Sequence, residues 1–269
     1  MIILYALILL LLLILLQYLN ILPKINNLYK SIVFHPPKEN FYDTSYSSNK
    51  NYHFVKSKNG KLTSYFEFRP ENDYNKIIIW SHGNAMNAYQ MSEYFTNLAT
   101  KLNVLIIAYD YQGYGISEGN YSEQNCYDDL ESIVDHIMYK YNVDTNQICL
   151  IGHSLGTGVV MDYVSKHEWQ NPVMLISPYQ SIIRIQYSWI GNFLGFMDMF
   201  NTYGKLNNIK CPVKIIHGKN DTLININHSY ELYDKLINKS ESPLWIDNCG
   251  HNDIIDCISP DVFSETFSL

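Results

Sequence analysis

Residues Ile148-Cys149-Leu150-Ile151-Gly152-His153-Ser154-Leu155-Gly156 decide how the rest of the chain is read. Four apolar residues run without alternation into Gly-x-Ser-x-Gly, and Val159, Val160, Tyr163 and Val164 follow at helical spacing. The first part suits a strand buried on both faces, the last a helix packed against it. Between them Ser154 is predicted to sit on a tight strand-to-helix turn, its hydroxyl raised above the end of a sheet. Gly152 and Gly156 flank it because side chains there would collide with the neighbouring strand and helix.

A serine hydroxyl is a poor nucleophile at neutral pH until a base takes its proton. Such a turn therefore predicts an acid and then a histidine further along the chain. After the apolar run 213–216 comes His217-Gly218-Lys219-Asn220-Asp221, which places Asp221 in a loop at a strand's C-terminal end. After the run 244–246 comes Asn248-Cys249-Gly250-His251-Asn252-Asp253, which places His251 in the loop of the last strand. Ends of neighbouring parallel strands converge on one edge, so Ser154, Asp221 and His251 can meet there as nucleophile, acid and base. Negative charge on a tetrahedral intermediate also needs donors. The backbone N–H of Leu155 is one candidate, and the loop Ser81-His82-Gly83-Asn84 supplies the second through Asn84, with Ala85 next in line.

His82, His153 and His217 also border strand ends, and each is read as a hydrogen-bonded structural residue of its loop. Asp110, in Tyr109-Asp110-Tyr111-Gln112-Gly113-Tyr114-Gly115, precedes the turn and is expected to order its own glycine-containing loop. Asp253 is placed for loop hydrogen bonds two residues past His251.

Working outward, residues 52–56 and 62–68 alternate apolar and polar around Lys58-Asn59-Gly60, an antiparallel hairpin signal. Unalternating runs then recur at 77–80, 104–108, 148–151, 173–176, 213–216 and 244–246. With the hairpin they make eight strands, six of them suited to a parallel sheet. Met91, Tyr94, Phe95, Leu98 and Leu102 form one helical stripe between strands. Leu130, Ile133, Val134, Ile137, Met138 and Tyr141 form another, with Asp128, Asp129, Glu131 and Asp135 on its polar positions. The expectation is an α/β fold: a mostly parallel eight-stranded sheet with helices on both faces, over 51–269.

The formal net charge of −7, with arginine only at 69 and 184, leaves nothing to neutralise a phosphate backbone, so no nucleic-acid partner is expected. Cys126, Cys149, Cys211, Cys249 and Cys257 are odd in number and lack C-x-x-C spacing, so they read as free thiols rather than a disulfide framework or metal site. Triad chemistry calls for neither a metal nor an organic cofactor.

Residues 1–22 carry no charged side chain. As a helix they would extend about 33 Å, enough to cross a bilayer core of roughly 30 Å. They are read as an uncleaved single-pass anchor, because the basic start and small-residue cut site of a signal peptide are missing. Lys24, Lys30 and Lys38 follow it with no side-chain positive charge before it, which favours a catalytic domain on the cytoplasmic side. Residues 23–50, with Pro36-Pro37, read as a linker. Sequons at Asn120, Asn220, Asn227 and Asn238 follow from an asparagine-rich composition and do not argue for a lumenal side.

Taken together, SHGNA (81–85), YDYQGYGISEG (109–119), GHSLG (152–156), HGKND (217–221) and GHND (250–253) resemble the serine hydrolases of the α/β-hydrolase superfamily. The resemblance covers roughly residues 52–256. Within the superfamily the chain is most similar to the branch of alpha/beta-hydrolase-domain-containing protein 17, whose members remove palmitate from proteins. It departs from that branch in having no cysteine before Cys126 and in carrying His153 where glutamine is usual. Its apolar start is similar to that of Bem46-like hydrolases.

Residues 178–208 separate two strands and hold Tyr179, Ile182, Ile183, Tyr187, Trp189, Phe193, Leu194, Phe196, Met197 and Phe200. In this family an insertion here implies a small cap over the nucleophile. An apolar cap beside a membrane suits a long acyl chain, as an ester or thioester. Oligomeric state is left open by the sequence. The rival reading is an inactive hydrolase fold used as a binding module, against which all three triad positions are filled.

Overall fold

The six apolar runs become parallel strands, joined by helices that cover both faces of one sheet. In the computed structural model the described residues are 52–186 and 198–269, with 30–37 and the positions 11, 15 and 17. The chain divides into two compact units, residues 1–35 and 36–269. Within the first, Leu11, Leu15, Gln17 and residues 30–33 are helical. The anchor expected over 1–22 otherwise falls outside the described residues, as does most of the linker expected over 23–50. No helix among the described residues is long and apolar enough to cross a membrane.

In the second unit the strands are β1 (Tyr52–Lys56), β2 (Leu62–Phe68), β3 (Ile77–Ser81), β4 (Leu105–Tyr109), β5 (Ile148–His153), β6 (Val173–Ile176), β7 (Val213–Gly218) and β8 (Leu244–Ile246). They form one sheet in the order β1-β2-β4-β3-β5-β6-β7-β8. β1 and β2 pair antiparallel as a hairpin, β2 pairs antiparallel with β4, and the remaining pairs are parallel. The helices are α1 (Ser92–Leu102), α2 (Glu123–Tyr141), α3 (Leu155–Lys166), α4 (Ile182–Gln186), α5 (Asn227–Lys235) and α6 (Pro260–Phe267).

Period-two geometry sorts the core. Ile78 and Trp80 of β3 join Ile106, Ile151 and Ile216 in a cluster with Phe95 and Leu98 of α1 and Phe263 and Phe267 of α6. Ile77 and Ile79 alternate with them and are equally buried, as are Ile133 of α2 and Val160 of α3. Such two-sided burial explains why the central strands are unbroken apolar runs. The eight-stranded α/β architecture is as the sequence predicts.

Two expectations change. Asp129, assigned to the polar face of α2, is fully buried. It accepts hydrogen bonds from Thr63 Oγ1 (2.7 Å), Gln112 N (2.8 Å) and Gln112 Nε2 (2.9 Å), tying the hairpin to the loop after β4. Burial pushes its carboxyl upward, against those hydrogen bonds. The second change concerns cysteine. Cys249 and Cys257 form a disulfide across the loop after β8, while Cys126, Cys149 and Cys211 are buried free thiols as expected. An eight-residue separation brings their Cα atoms to 6.7 Å, within bridging range.

Of the segment 178–208, residues 187–197 lie outside the described residues. Its described flanks are α4 and a 3-10 turn at Tyr203–Asn208, with Tyr179 and Phe200 buried.

Candidate active site

The site is assembled at the C-terminal ends of β3, β5, β7 and β8. β5 ends at His153, and Ser154 follows with φ 49° and ψ −114°, immediately before α3. A β-carbon on Gly156 would strike the Ser81 carbonyl oxygen of β3, and one on Gly152 would lie 2.5 Å from the Gly156 carbonyl oxygen. The glycines therefore let strand, turn and helix approach, and Ser154 alone takes the positive φ.

His251 reaches back from the loop after β8. Its Nε2 lies 3.1 Å from Ser154 Oγ and its Nδ1 2.7 Å from Asp221 Oδ2. An ionised carboxylate only accepts, so Nδ1 carries the hydrogen and Nε2 presents its lone pair to the serine hydroxyl. The three residues, 97 and 30 positions apart in their two contacts, thus form one hydrogen-bonded chain. Ser154 and Asp221 are buried and His251 is partly exposed.

Asp221 is held from three sides. Its Oδ1 accepts from the backbone N–H groups of Leu223 (2.9 Å) and Ile224 (2.8 Å). Its Oδ2 also lies 3.1 Å from His217 Nε2, which is 2.9 Å from the Ile224 carbonyl oxygen. Two acceptors on that nitrogen require it to carry a hydrogen. His217 Nδ1 then accepts from Ser229 Oγ at 2.6 Å. Burial opposes charge on Asp221, but hydrogen bonds from His217, His251 and the Ile224 N–H outweigh it and hold the carboxyl far below the ordinary range. His217, read from the sequence as a structural histidine, is thus a second support of the acid.

The other histidines divide. His82 Nδ1 donates to the Gly83 carbonyl oxygen at 2.7 Å, and burial lowers its pKa to about 4. His153 does not fit its expected hydrogen-bonded role. Both its ring nitrogens are buried and have no hydrogen-bond partner among the described residues. Its ring instead stacks on His251 with centroids 5.8 Å apart, and burial, followed by repulsion from His251, lowers its pKa to about 3. A neutral imidazole at that place adds an uncharged, near-parallel ring beside the base.

Asp110 does more than order its own loop. It is fully buried, accepts from the Ala88 N–H (2.7 Å) and Ser64 Oγ (3.3 Å), and burial raises its pKa to about 6. Asp253 accepts from the Gly250 N–H at 2.8 Å, the loop bond expected of it. Asn84 leaves β3 three residues after Ser81, whose register partner in β5 is Gly152, so the Asn84 loop begins beside the serine turn. Leu155 opens α3 directly after Ser154.

A nucleophilic hydroxyl bonded to an imidazole that is bonded to a carboxylate can transfer acyl groups. Known proteins similar to the chain are named as hydrolases. The family model described as serine aminopeptidase, S33 matches residues 72–199. An alpha/beta hydrolase of Acanthamoeba polyphaga mimivirus is 43% identical over 240 residues, covering 87% of this chain and 90% of that protein. Human alpha/beta hydrolase domain-containing protein 17C is 35% identical over 177 residues, 66% of this chain and 53% of its own length. The chain therefore spans little more than half of the protein 17 relatives it matches. Among solved structures, an esterase of Pyrococcus furiosus superposes with TM-score 0.67 at 21% identity, covering 86% of this chain and 93% of the esterase. Eight strands in this order, the serine turn and a mimiviral relative matched along nine-tenths of its length make the chain a member of the α/β-hydrolase family.

Proposed function

We propose that the chain is a serine hydrolase cleaving a carboxylic ester or thioester through Ser154, His251 and Asp221. The observation that carries this reading is the continuous chain of hydrogen bonds from Ser154 Oγ through His251 to Asp221. As Oγ attacks the acyl carbon, His251 Nε2 takes its proton, and Asp221 stabilises the resulting imidazolium. The backbone N–H groups of Asn84 and Leu155 receive the oxyanion. Collapse expels the alcohol or thiol, which takes the proton from His251, while the acyl group stays bonded to Ser154 Oγ. Water activated by the same imidazole then attacks the acyl carbon and releases the acid.

The acyl group is proposed to be long, as in a lipid ester or an acylated protein cysteine. Support comes from the apolar composition of residues 178–208 and of 1–22, and from relatives named as protein 17C. The same residues 1–22 support attachment to a membrane, and Lys24, Lys30 and Lys38 after them support a catalytic unit on the cytoplasmic side. No cofactor has a step in this chemistry.

A fluorophosphonate probe tests the reaction class: the folded protein should be labelled, and Ser154→Ala should abolish labelling. A folded wild type that stays unlabelled leaves the inactive binding module as the answer. Esters, thioesters and peptide amides of graded acyl length, assayed in detergent, test the substrate class. Preference for short soluble esters or for amides would refute the long-chain acyl assignment.

A further inference from the structure

The loop after β4 touches the Asn84 loop at its start, middle and end. Tyr111 Oη donates to the His82 carbonyl oxygen at 2.9 Å. Tyr114 Oη donates to Asn84 Oδ1 at 2.6 Å. Asp110 Oδ1 accepts from the Ala88 N–H at 2.7 Å. All three side chains are fully buried, and acyl transfer as described uses none of them.

These contacts come from a rigid source. The Tyr114 ring meets Tyr111 edge-on, with centroids 5.7 Å apart and planes at 87°, and lies 5.5 Å from the His82 ring. The Tyr114 N–H closes a turn onto the Tyr111 carbonyl oxygen at 2.8 Å. Gly115, at φ 50°, lets the chain pass directly over the Asp110 carboxyl, where a β-carbon would collide with Oδ2. Ser117 Oγ donates to the Asp110 carbonyl oxygen at 2.7 Å and receives the Ser64 N–H at 2.8 Å, anchoring the loop to β2.

We propose that Tyr114 is a positioning residue for the hydrolytic reaction, its hydroxyl fixing Asn84 so that the Asn84 backbone N–H points at the developing oxyanion. This rests on the serine-hydrolase reading. An oxyanion donor works only if it is already aimed when charge develops, and donors on a connecting loop have no helix or strand to aim them. The Asn84 side chain is the handle nearest that N–H, and Tyr114 holds it from a fully buried ring packed against Tyr111 and His82. Such a contact contributes to the transition state and little to ground-state binding, which contains no oxyanion.

The test is Tyr114→Phe, which removes one oxygen and keeps the ring. Its kcat on an activated acyl ester should fall roughly ten- to a hundredfold with KM changed less than about twofold, as for partial loss of an oxyanion donor. Affinity for an alkyl boronic acid, whose tetrahedral adduct carries the charge, should fall by the same factor, while affinity for an uncharged ketone-free substrate mimic such as the alkyl amide should not. Asn84→Ala removes the handle but keeps the backbone N–H. It should reproduce the loss, and the double variant should be no worse than either single one. Tyr114→Phe or Asn84→Ala at wild-type kcat and boronate affinity, or fully additive losses, would overturn the role of Tyr114. A wild type that neither turns over nor takes a fluorophosphonate would instead overturn the hydrolase reading beneath it.

Discussion

Asp221→Asn is the sharpest test of the acid, because the structure dictates how the new side chain must sit. Two backbone N–H groups, of Leu223 and Ile224, point at Oδ1 from 2.9 and 2.8 Å. An amide NH2 there would set donors against donors, so the asparagine carbonyl oxygen takes that place and the NH2 replaces Oδ2. The NH2 then faces His251 Nδ1, where the carboxylate stood at 2.7 Å. A donor at that point demands a lone pair on Nδ1 and moves the imidazole hydrogen to Nε2. Nε2 is 3.1 Å from Ser154 Oγ, and once protonated it cannot accept the serine proton. Loss of the correct tautomer is expected to lower kcat about 10⁴-fold, about 5.5 kcal/mol of barrier. His217 Nε2–H, 3.1 Å from the replaced Oδ2, would also face the NH2 and keep only its bond to the Ile224 carbonyl oxygen, so a modest loss of stability should accompany the loss of turnover. The assay is steady-state hydrolysis of a chromogenic acyl ester across pH, beside a thermal melt of each protein. The wild-type acid stays charged throughout: its depressed pKa means that its contribution to stability is present above the ordinary carboxylate range and lost only as pH falls through the folded value. No limb of the rate profile therefore belongs to Asp221. A folded variant with turnover within tenfold of wild type would refute the assignment and direct attention to Asp110 or Asp253.

Gly156→Ala should cost on the order of 3 kcal/mol, because the new β-carbon meets the Ser81 carbonyl of a central strand; the melting temperature should drop by roughly 10 °C or the protein should fail to fold. Cys257→Ser, or reduction by a dithiol, should lower unfolding stability by about 2.5 kcal/mol, the loop-closure value for a ring of this size, as read by urea denaturation. The pH dependence of stability should expose Asp110. His82 and His153, folded at about 4 and about 3, add stability as pH rises toward 6.5, whereas Asp110, folded at about 6, loses stability as pH rises from 3.8 through 6. Asp110→Asn removes the opposing member, so the gain in stability between pH 4 and 7 should grow by about 2 kcal/mol in urea melts.

The sheet was legible because its signal is one-dimensional. A strand buried on both faces must be apolar at nearly every position, and the runs at Ile77, Leu105, Ile148 and Val173 announce themselves without knowledge of their neighbours. The hairpin was legible for the complementary reason, an alternating pattern around a glycine turn. Asp129 was misplaced because helical periodicity assigns a charged residue to solvent by default. What buries it is a set of donors on β2 and on the loop after β4, 66 and 17 residues away.

The same distinction separates the readable part of the site from the rest. Ser154, Asp221 and His251 each follow an apolar run, so strand ends alone bring them to one edge, and their order along the chain does the remainder. Their supports obey no such rule. His217 is recognisable as a support only once Ser229 of α5 and the Ile224 carbonyl are seen around it. The grip of Tyr114 on Asn84 joins residues 30 positions apart through a single hydroxyl, and neither residue type implies the other. His153 shows the converse. Its place beside Ser154 suggests a hydrogen-bonded residue, yet its nearest described ring partner is aromatic in kind, the near-parallel ring of His251 with centroids 5.8 Å apart. Chain order picks out the three groups proposed to react; the contacts that hold them in register are set by which loops the sheet brings together, and these are the contacts that substitutions at Tyr114, His217 and His153 will move without altering Ser154 itself.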